Sequence, residues 1–185
     1  MLVEDLMTSD VEACRPDSNL AEAAGVMWRK DCGAVPVVDE EGGVVGMITD
    51  RDICMALATR RQYASEVRVG EVMSRGVYTC TPEDDVKEAL ETMRGRRVRR
   101  LPVVNSQGNL AGIISLGDIA LKTEKKGKSK KRVSRRNTVR TLKAVSRPHK
   151  AGGVDDEQPD EEREPETDSA ETPTVPGDDD APVSG

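Results

Sequence analysis

The sequence predicts an α/β fold of the α+β type: two tandem β-α-β-β-α repeats followed by a disordered charged tail. Three observations carry this: a gapless internal duplication, periodicity that alternates between helix and strand spacing within each copy, and an abrupt change of composition after residue 121. Residues 3–56 lie over residues 69–122 at an offset of 66 without insertion, with 16 of the 54 positions identical. The identities include Met7/Met73, Val11/Val77, Cys14/Cys80, Pro16/Pro82, the PVV runs at 36–38 and 102–104, Gly42/Gly108, Gly46/Gly112, and Asp52-Ile53 with Asp118-Ile119.

Each unit is expected to begin with a short strand at Val11 to Cys14 (Val77 to Cys80), stopped by Pro16 or Pro82. Asn19 or Asp85 then stands three residues before Glu22 or Glu88, the spacing of a helix N-cap. Leu20, Ala23, Ala24 and Met27, repeated as Val86, Ala89, Leu90 and Met93, keep the three-to-four spacing of one buried helical face. Gly33 is expected to break the first of these helices. The runs Ala34 to Val38 and Leu101 to Val104 are too short and too rich in Val for helices and read as strands. DEEGG and NSQGN supply turn residues, leading to strands Val44 to Ile48 and Leu110 to Ile114 and to helices starting near Asp50 and Leu116.

Charge divides the chain. Residues 1–121 hold 14 Lys/Arg and 20 Asp/Glu, residues 122–150 hold 13 basic residues and one acidic, and residues 151–185 hold one basic and 13 acidic. Every Ile, Met, Cys, Trp and Tyr precedes residue 122, so the rest of the chain lacks the apolar surface that offsets chain entropy. The expected organisation is repeat 1 at 1–61, repeat 2 at 62–122, a basic disordered segment at 123–150 and an acidic, Pro-rich disordered tail at 151–185.

Several classes are excluded by composition. No run reaches the roughly 18 to 20 apolar residues of a membrane span, and MLVEDLMTSD has no signal-peptide pattern, so a cytoplasmic location without membrane association is expected. The four Cys are scattered without a C-x-x-C pair and the only His is His149, which argues against a metal site, a disulfide framework or a His-dependent triad. No nucleophile-base pair is identifiable, and no catalytic residue is expected.

The stretch VEDLMTSDVEACRPDSNLAEAAGVMWRKDCGAVPVVDEEGGVVGMITDRDI resembles a CBS domain along its whole length, and the second unit resembles one equally. The tandem resembles a Bateman module over roughly residues 1–122. The resemblance implies two repeats packed sheet against sheet about a pseudo-two-fold axis, with two clefts that take adenosyl compounds such as AMP, ADP, ATP or S-adenosylmethionine. The nucleotide is then a regulatory ligand and no cofactor is required. It also implies a homodimer and signalling to a protein partner that the sequence does not identify.

The family's ligand motif is present in both units, as Gly46-Met-Ile-Thr49-Asp-Arg-Asp52 and Gly112-Ile-Ile-Ser115-Leu-Gly-Asp118. Thr49 and Ser115 stand where a strand becomes a helix, so their hydroxyls and the free N–H groups of the first turn are candidates to meet a phosphate. Asp52 and Asp118 are carboxylates suited to ribose hydroxyls, and Gly46 and Gly112 allow a close approach of backbone or ligand. The same spacing is equally an ordinary helix cap that binds nothing.

Arg94, Arg96, Arg97, Arg99 and Arg100 form a run that repels itself unless solvated or met by an anion. It is either a solvated helix end or, as the resemblance implies, a source of phosphate partners in Arg99 and Arg100. The equivalent Cys32-Gly33-Ala34 is neutral, which suggests clefts of unequal charge. The resemblance places an adenine ring against Val11, Val35 and Pro36, or against Val77, Leu101 and Pro102. Trp28 lies off the main apolar stripe and is either core filler or part of a partner-binding patch. The basic segment 122–150 keeps a second function open, non-specific binding of nucleic-acid backbones, with the repeats as a dimerisation or regulatory unit.

Overall fold

The structure, a computed structural model, describes residues 1–124 and 135–147, all within one unit, Met1–Ala151. The tail expected at 151–185 and the remainder of the basic segment lie outside the described residues. The duplication is obvious in the element order. Repeat 1 contains α1 (Leu20–Arg29), β1 (Ala34–Val38), β2 (Val44–Thr49) and α2 (Asp50–Arg60); repeat 2 contains α3 (Val86–Arg96), β3 (Arg100–Val104), β4 (Leu110–Ser115) and α4 (Leu116–Glu124). A fifth helix, α5 (Arg135–Val145), follows.

The strand pairs are antiparallel and superimpose in register: Ala34 lies opposite Thr49 as Arg100 lies opposite Ser115, with the same irregularity at Val37/Val38 and Val103/Val104. Both turns are closed by glycines with positive φ, Gly42 at 88° and Gly108 at 83°, a conformation in which a Cβ is strained. The strand expected at Val11 to Cys14 is reduced to one parallel bridge, Cys14 to Val37, repeated as Cys80 to Val103. Cys14 N–H donates to Pro36 O at 3.0 Å and Val38 N–H donates to Cys14 O at 2.9 Å. Proline at 36 and 102 has no N–H to extend either ladder.

Helix α1 is capped by Asn19, whose side chain accepts from Glu22 N–H. Asp85 caps α3 one residue earlier, accepting from Lys87 N–H. Gly33 does not make the helix break. The left-handed residues are Asp31 (φ 48°) and its equivalent Arg97 (φ 55°), and Gly33 stands after the turn at the entry to β1.

Two cores result, and each borrows from the other copy. Leu20, Ala23, Met27, Val35, Val37 and Ile48 pack with Val67 and Val69, from the start of repeat 2. Val86, Leu90, Met93, Leu101, Val103 and Ile114 pack with Val3 and Leu6 from the start of the chain. The crossing segments also pair by hydrogen bonds: Thr8 N–H donates to Ile113 O, and Met47 N–H donates to Ser74 O. The boundary near residue 61 therefore separates the copies in sequence only.

The disorder expected throughout 123–150 does not hold for its described part. Helix α4 continues to Glu124, and α5 lies against α3 and α4. Thr141 is buried, its hydroxyl donating to Leu90 O at 3.4 Å, and Val145 joins the core beside Leu90 and Met93. Average composition conceals the spacing: Asn137, Thr138, Thr141, Ala144 and Val145 fall on one face and are small enough to let a highly charged helix settle on α3.

Candidate functional site

A cleft of about 710 Å³ opens between the two repeats. Repeat 1 supplies Gly33 and Ala34 from the start of β1, Met47 and Thr49 from β2, and Asp50 and Arg51 from the first turn of α2. Repeat 2 supplies Ser74, the segment Gly76 to Tyr78, Arg97 to Arg100, and Pro102. The end of α5 supplies Val145, Ser146 and Arg147.

Of the residues expected to bind a ligand, the structure brings together Thr49, Val77, Arg99, Arg100 and Pro102. Asp52 stands just behind Thr49. Its Oδ2 accepts from Thr49 N–H at 3.0 Å and from the Thr49 hydroxyl at 2.7 Å, while Thr49 Oγ1 accepts from Asp52 N–H at 3.2 Å. This reciprocal cap fixes the Thr49 rotamer and leaves Asp52 Oδ1 without a hydrogen bond among the described residues. Ser115 and Asp118 form the same cap, with a 2.6 Å contact from hydroxyl to carboxylate.

Val11, Pro36, Ser115 and Asp118 do not line this cleft. Neither do Val35 and Leu101, which are 1% and 0% exposed inside their respective cores and present no face to a ring. At the place where Asp50 faces the cleft, repeat 2 has Leu116, which is buried in the core.

Two further expectations change. The first-turn N–H groups of α2 are not free for a phosphate: Asp50 N–H donates to Gly33 O, Arg51 N–H to Asp50 Oδ1 and Asp52 N–H to Thr49 Oγ1. Anion recognition here falls to side chains. The neutral Gly33-Ala34 and the cationic Arg99-Arg100 also belong to one cleft rather than two. A Cβ on Gly33 would stand 3.0 Å from Asp50 Oδ2 and 3.6 Å from Arg100 Nη2, because the starts of β1 and β3 converge between the repeats.

Sequence reasoning missed Tyr78, the one aromatic residue lining the cleft. The Arg96 guanidinium lies 4.5 Å from its ring centroid, a cation–π arrangement that orients the ring. The signal was its position next to Val77, already a candidate wall residue. Arg147 was missed because it lies far beyond the duplication. The glycines of the two motifs serve the crossing segments: a Cβ on Gly112 would come within 2.7 Å of Thr8 O, and one on Gly46 within 2.5 Å of Met73 Sδ.

A duplicated β-β-α unit with a cleft between the copies and a Thr/Ser-x-x-Asp cap on each second helix defines a tandem module of two α/β repeats. The CBS-domain family model matches residues 3–59 and 69–123, and the chain belongs to that family. It is 40% identical over 119 residues to the CBS domain-containing protein YhcV of Bacillus subtilis, covering 64% of this chain and 83% of that protein. It is 39% identical over 117 residues to an inosine-5'-monophosphate dehydrogenase of Methanocaldococcus jannaschii, but the match spans only 22% of that enzyme and 63% of this chain. Among solved structures it resembles the CBS domain pair of protein MJ0100 in complex with 5'-methylthioadenosine and S-adenosyl-L-methionine. The TM-score is 0.61 at 29% identity, covering 68% of this chain and 98% of that one.

Proposed function

We propose that this chain is a non-catalytic sensor that binds an adenosyl nucleotide in the cleft between its repeats and signals occupancy to a protein partner. The observation that carries the reading is the convergence of Thr49, Asp50, Val77, Tyr78, Arg99, Arg100 and Pro102 on one cleft of ligand size. The adenosyl ligands named for the similar CBS pair of MJ0100 support it. Val77, Tyr78 and Pro102 offer an apolar wall to the base. Asp50 and the unused Oδ1 of Asp52 offer acceptors to the ribose hydroxyls, and Arg99 and Arg100 offer donors to a phosphate.

Calorimetric titration of the full chain with AMP, ADP, ATP and S-adenosylmethionine tests this. Binding in the micromolar to sub-millimolar range is expected. Asp50→Asn or Asp52→Asn should weaken it about tenfold, the effect of one lost charge-assisted hydrogen bond. No heat with any of these compounds would overturn the proposal.

Self-association belongs to the same reading. Trp28, 88% exposed, and Met55, 53% exposed, sit on the helical side of repeat 1, where Ala24, Met27, Cys32 and Ile53 line a second hollow. Such an apolar face is suited to pairing with another copy. Sedimentation should show a dimer at tens of micromolar that Trp28→Glu weakens.

One observation favours the nucleic-acid reading as a second function: Arg136, Arg140, Lys143 and Arg147 are all exposed on or just after α5. Retention on DNA that falls steeply with salt and disappears on deleting residues 125–185 would support it.

A further inference from the structure

The charge of the cleft is far out of balance. Among the described residues, Arg51, Arg97, Arg99, Arg100 and Arg147 line it, against one carboxylate, Asp50. Ion pairs among the described residues form at Asp85, at Glu12 and Asp10, and at Glu71. Arg51, Arg99, Arg100 and Arg147 take part in none of them. Like charges gathered in a partly enclosed site raise the local potential and are stabilised by a multivalent anion. The N–H groups of the adjacent helix are already used by the chain, so the guanidinium groups are the donors available to such an anion.

We propose that this cleft is built for a chain of phosphates and that Arg147, which α5 brings in from outside the duplication, is one of its binding residues. The inference rests on the cleft being the ligand site, and it narrows the ligand class. Nucleoside di- and triphosphates fit a cleft of this charge. 5'-Methylthioadenosine, which is neutral, and S-adenosylmethionine, whose sulfonium is cationic, leave Arg51, Arg99, Arg100 and Arg147 uncompensated.

The geometry also links binding to α5. Val145 anchors the end of the helix in the core of repeat 2, and Arg97 Nη2 donates to Arg147 O at 3.5 Å, a cation at the negative end of the helix dipole. Docking α5 thus adds the Arg147 guanidinium to a cleft that already holds those of Arg51, Arg99 and Arg100. That repulsion opposes docking while the cleft is empty and is relieved when a polyanion fills it. Binding of a polyphosphate and docking of α5 therefore favour each other, reciprocally.

The test uses the full chain, titrated calorimetrically with ATP, inorganic tripolyphosphate, adenosine and 5'-methylthioadenosine, for wild type, Arg147→Ala and Arg147→Lys. ATP and tripolyphosphate should bind at least about tenfold more tightly than adenosine, and more weakly as salt rises. Arg147→Ala should weaken both phosphates roughly five- to tenfold without changing adenosine, Arg147→Lys should retain most of the affinity, and ATP should raise amide protection at 135–147. Binding of 5'-methylthioadenosine as tight as that of ATP would overturn the phosphate-chain site and leave the adenosyl reading intact. Tripolyphosphate binding that depends on Arg147 and is as tight as that of ATP, with no response to adenosine, would support the site while defeating the adenosyl reading. Unchanged tripolyphosphate affinity in Arg147→Ala, or no binding of either phosphate compound, would overturn the assignment.

Discussion

Cys14 and Cys80 occupy equivalent buried positions, each at the bridge that brings its segment onto a strand pair. Burial pushes the Cys80 thiol up to about 12, and the Cys14 thiol is also raised, chiefly by burial. The thiolate is the reactive form, so both should be inert at neutral pH, whereas Cys32 and Cys54 are exposed. A colorimetric thiol assay near pH 8 should titrate two thiols per native chain and four after denaturation. Rapid reaction of more than two in the native state would contradict the burial of this pair.

The motif glycines make a second residue-scale prediction. Gly112→Ala pushes a Cβ against the carbonyl of Thr8, which is backbone and held by its pairing with Ile113; Gly46→Ala meets mainly the flexible Met73 side chain, with Ser74 O at 3.2 Å. Overpacking of this kind costs about 1 to 3 kcal/mol. Chemical denaturation should place Gly112→Ala at the upper end and Gly46→Ala below it. Equal losses would mean that the crossing segments are more pliant than their hydrogen bonds imply.

At the scale of elements, α5 is the informative case. Its two larger exposed apolar residues, Val139 and Leu142, are about half exposed, and its hold on repeat 2 comes from Thr141 and Val145. A helix of 11 residues is marginal in isolation, so α5 draws its stability from that contact. Removing two buried methyl groups with Val145→Ala should cost roughly 1 to 2 kcal/mol of repeat 2 stability. Hydrogen exchange of the variant should show protection lost over 135–145 and reduced over α3. Unchanged exchange would show that α5 is not fixed by its C-terminal anchor. The helices of the duplication were readable because each repeats its apolar spacing in a second copy. Helix α5 was not, because its buried face is made of Thr, Ala and Val within a run of Arg and Lys, where the charge count outweighs the pattern.

For the molecule as a whole, the exchange of Val3 and Leu6 into one core and of Val67 and Val69 into the other makes the repeats interdependent. They should unfold together, with calorimetric and van't Hoff enthalpies in agreement. Leu6→Ala, a substitution in the core of repeat 2, should cost about 2 to 5 kcal/mol and lower that single transition without splitting it. Two resolved transitions would show that the exchanged segments do not couple the copies. Trp28 is too exposed to report this fluorometrically, so circular dichroism and calorimetry are the appropriate measures.

The sequence by itself determined the duplication, the order of its helices and strand pairs, the two turns and the Thr/Ser-x-x-Asp caps. Each of these is a local preference written twice at a fixed offset, and local preferences survive without knowledge of the fold. The tertiary structure alone decided which copy of each motif faces the cleft. Val35 and Leu101 look like wall residues in sequence, but each has its side chain buried in a core, while Gly33, Asp50, Tyr78 and Arg100 meet because the copies face each other. It also decided that the N–H groups of α2 are spent within the chain and that Arg147 reaches the site. Those outcomes depend on contacts between segments distant in sequence, and no periodicity or spacing encodes them.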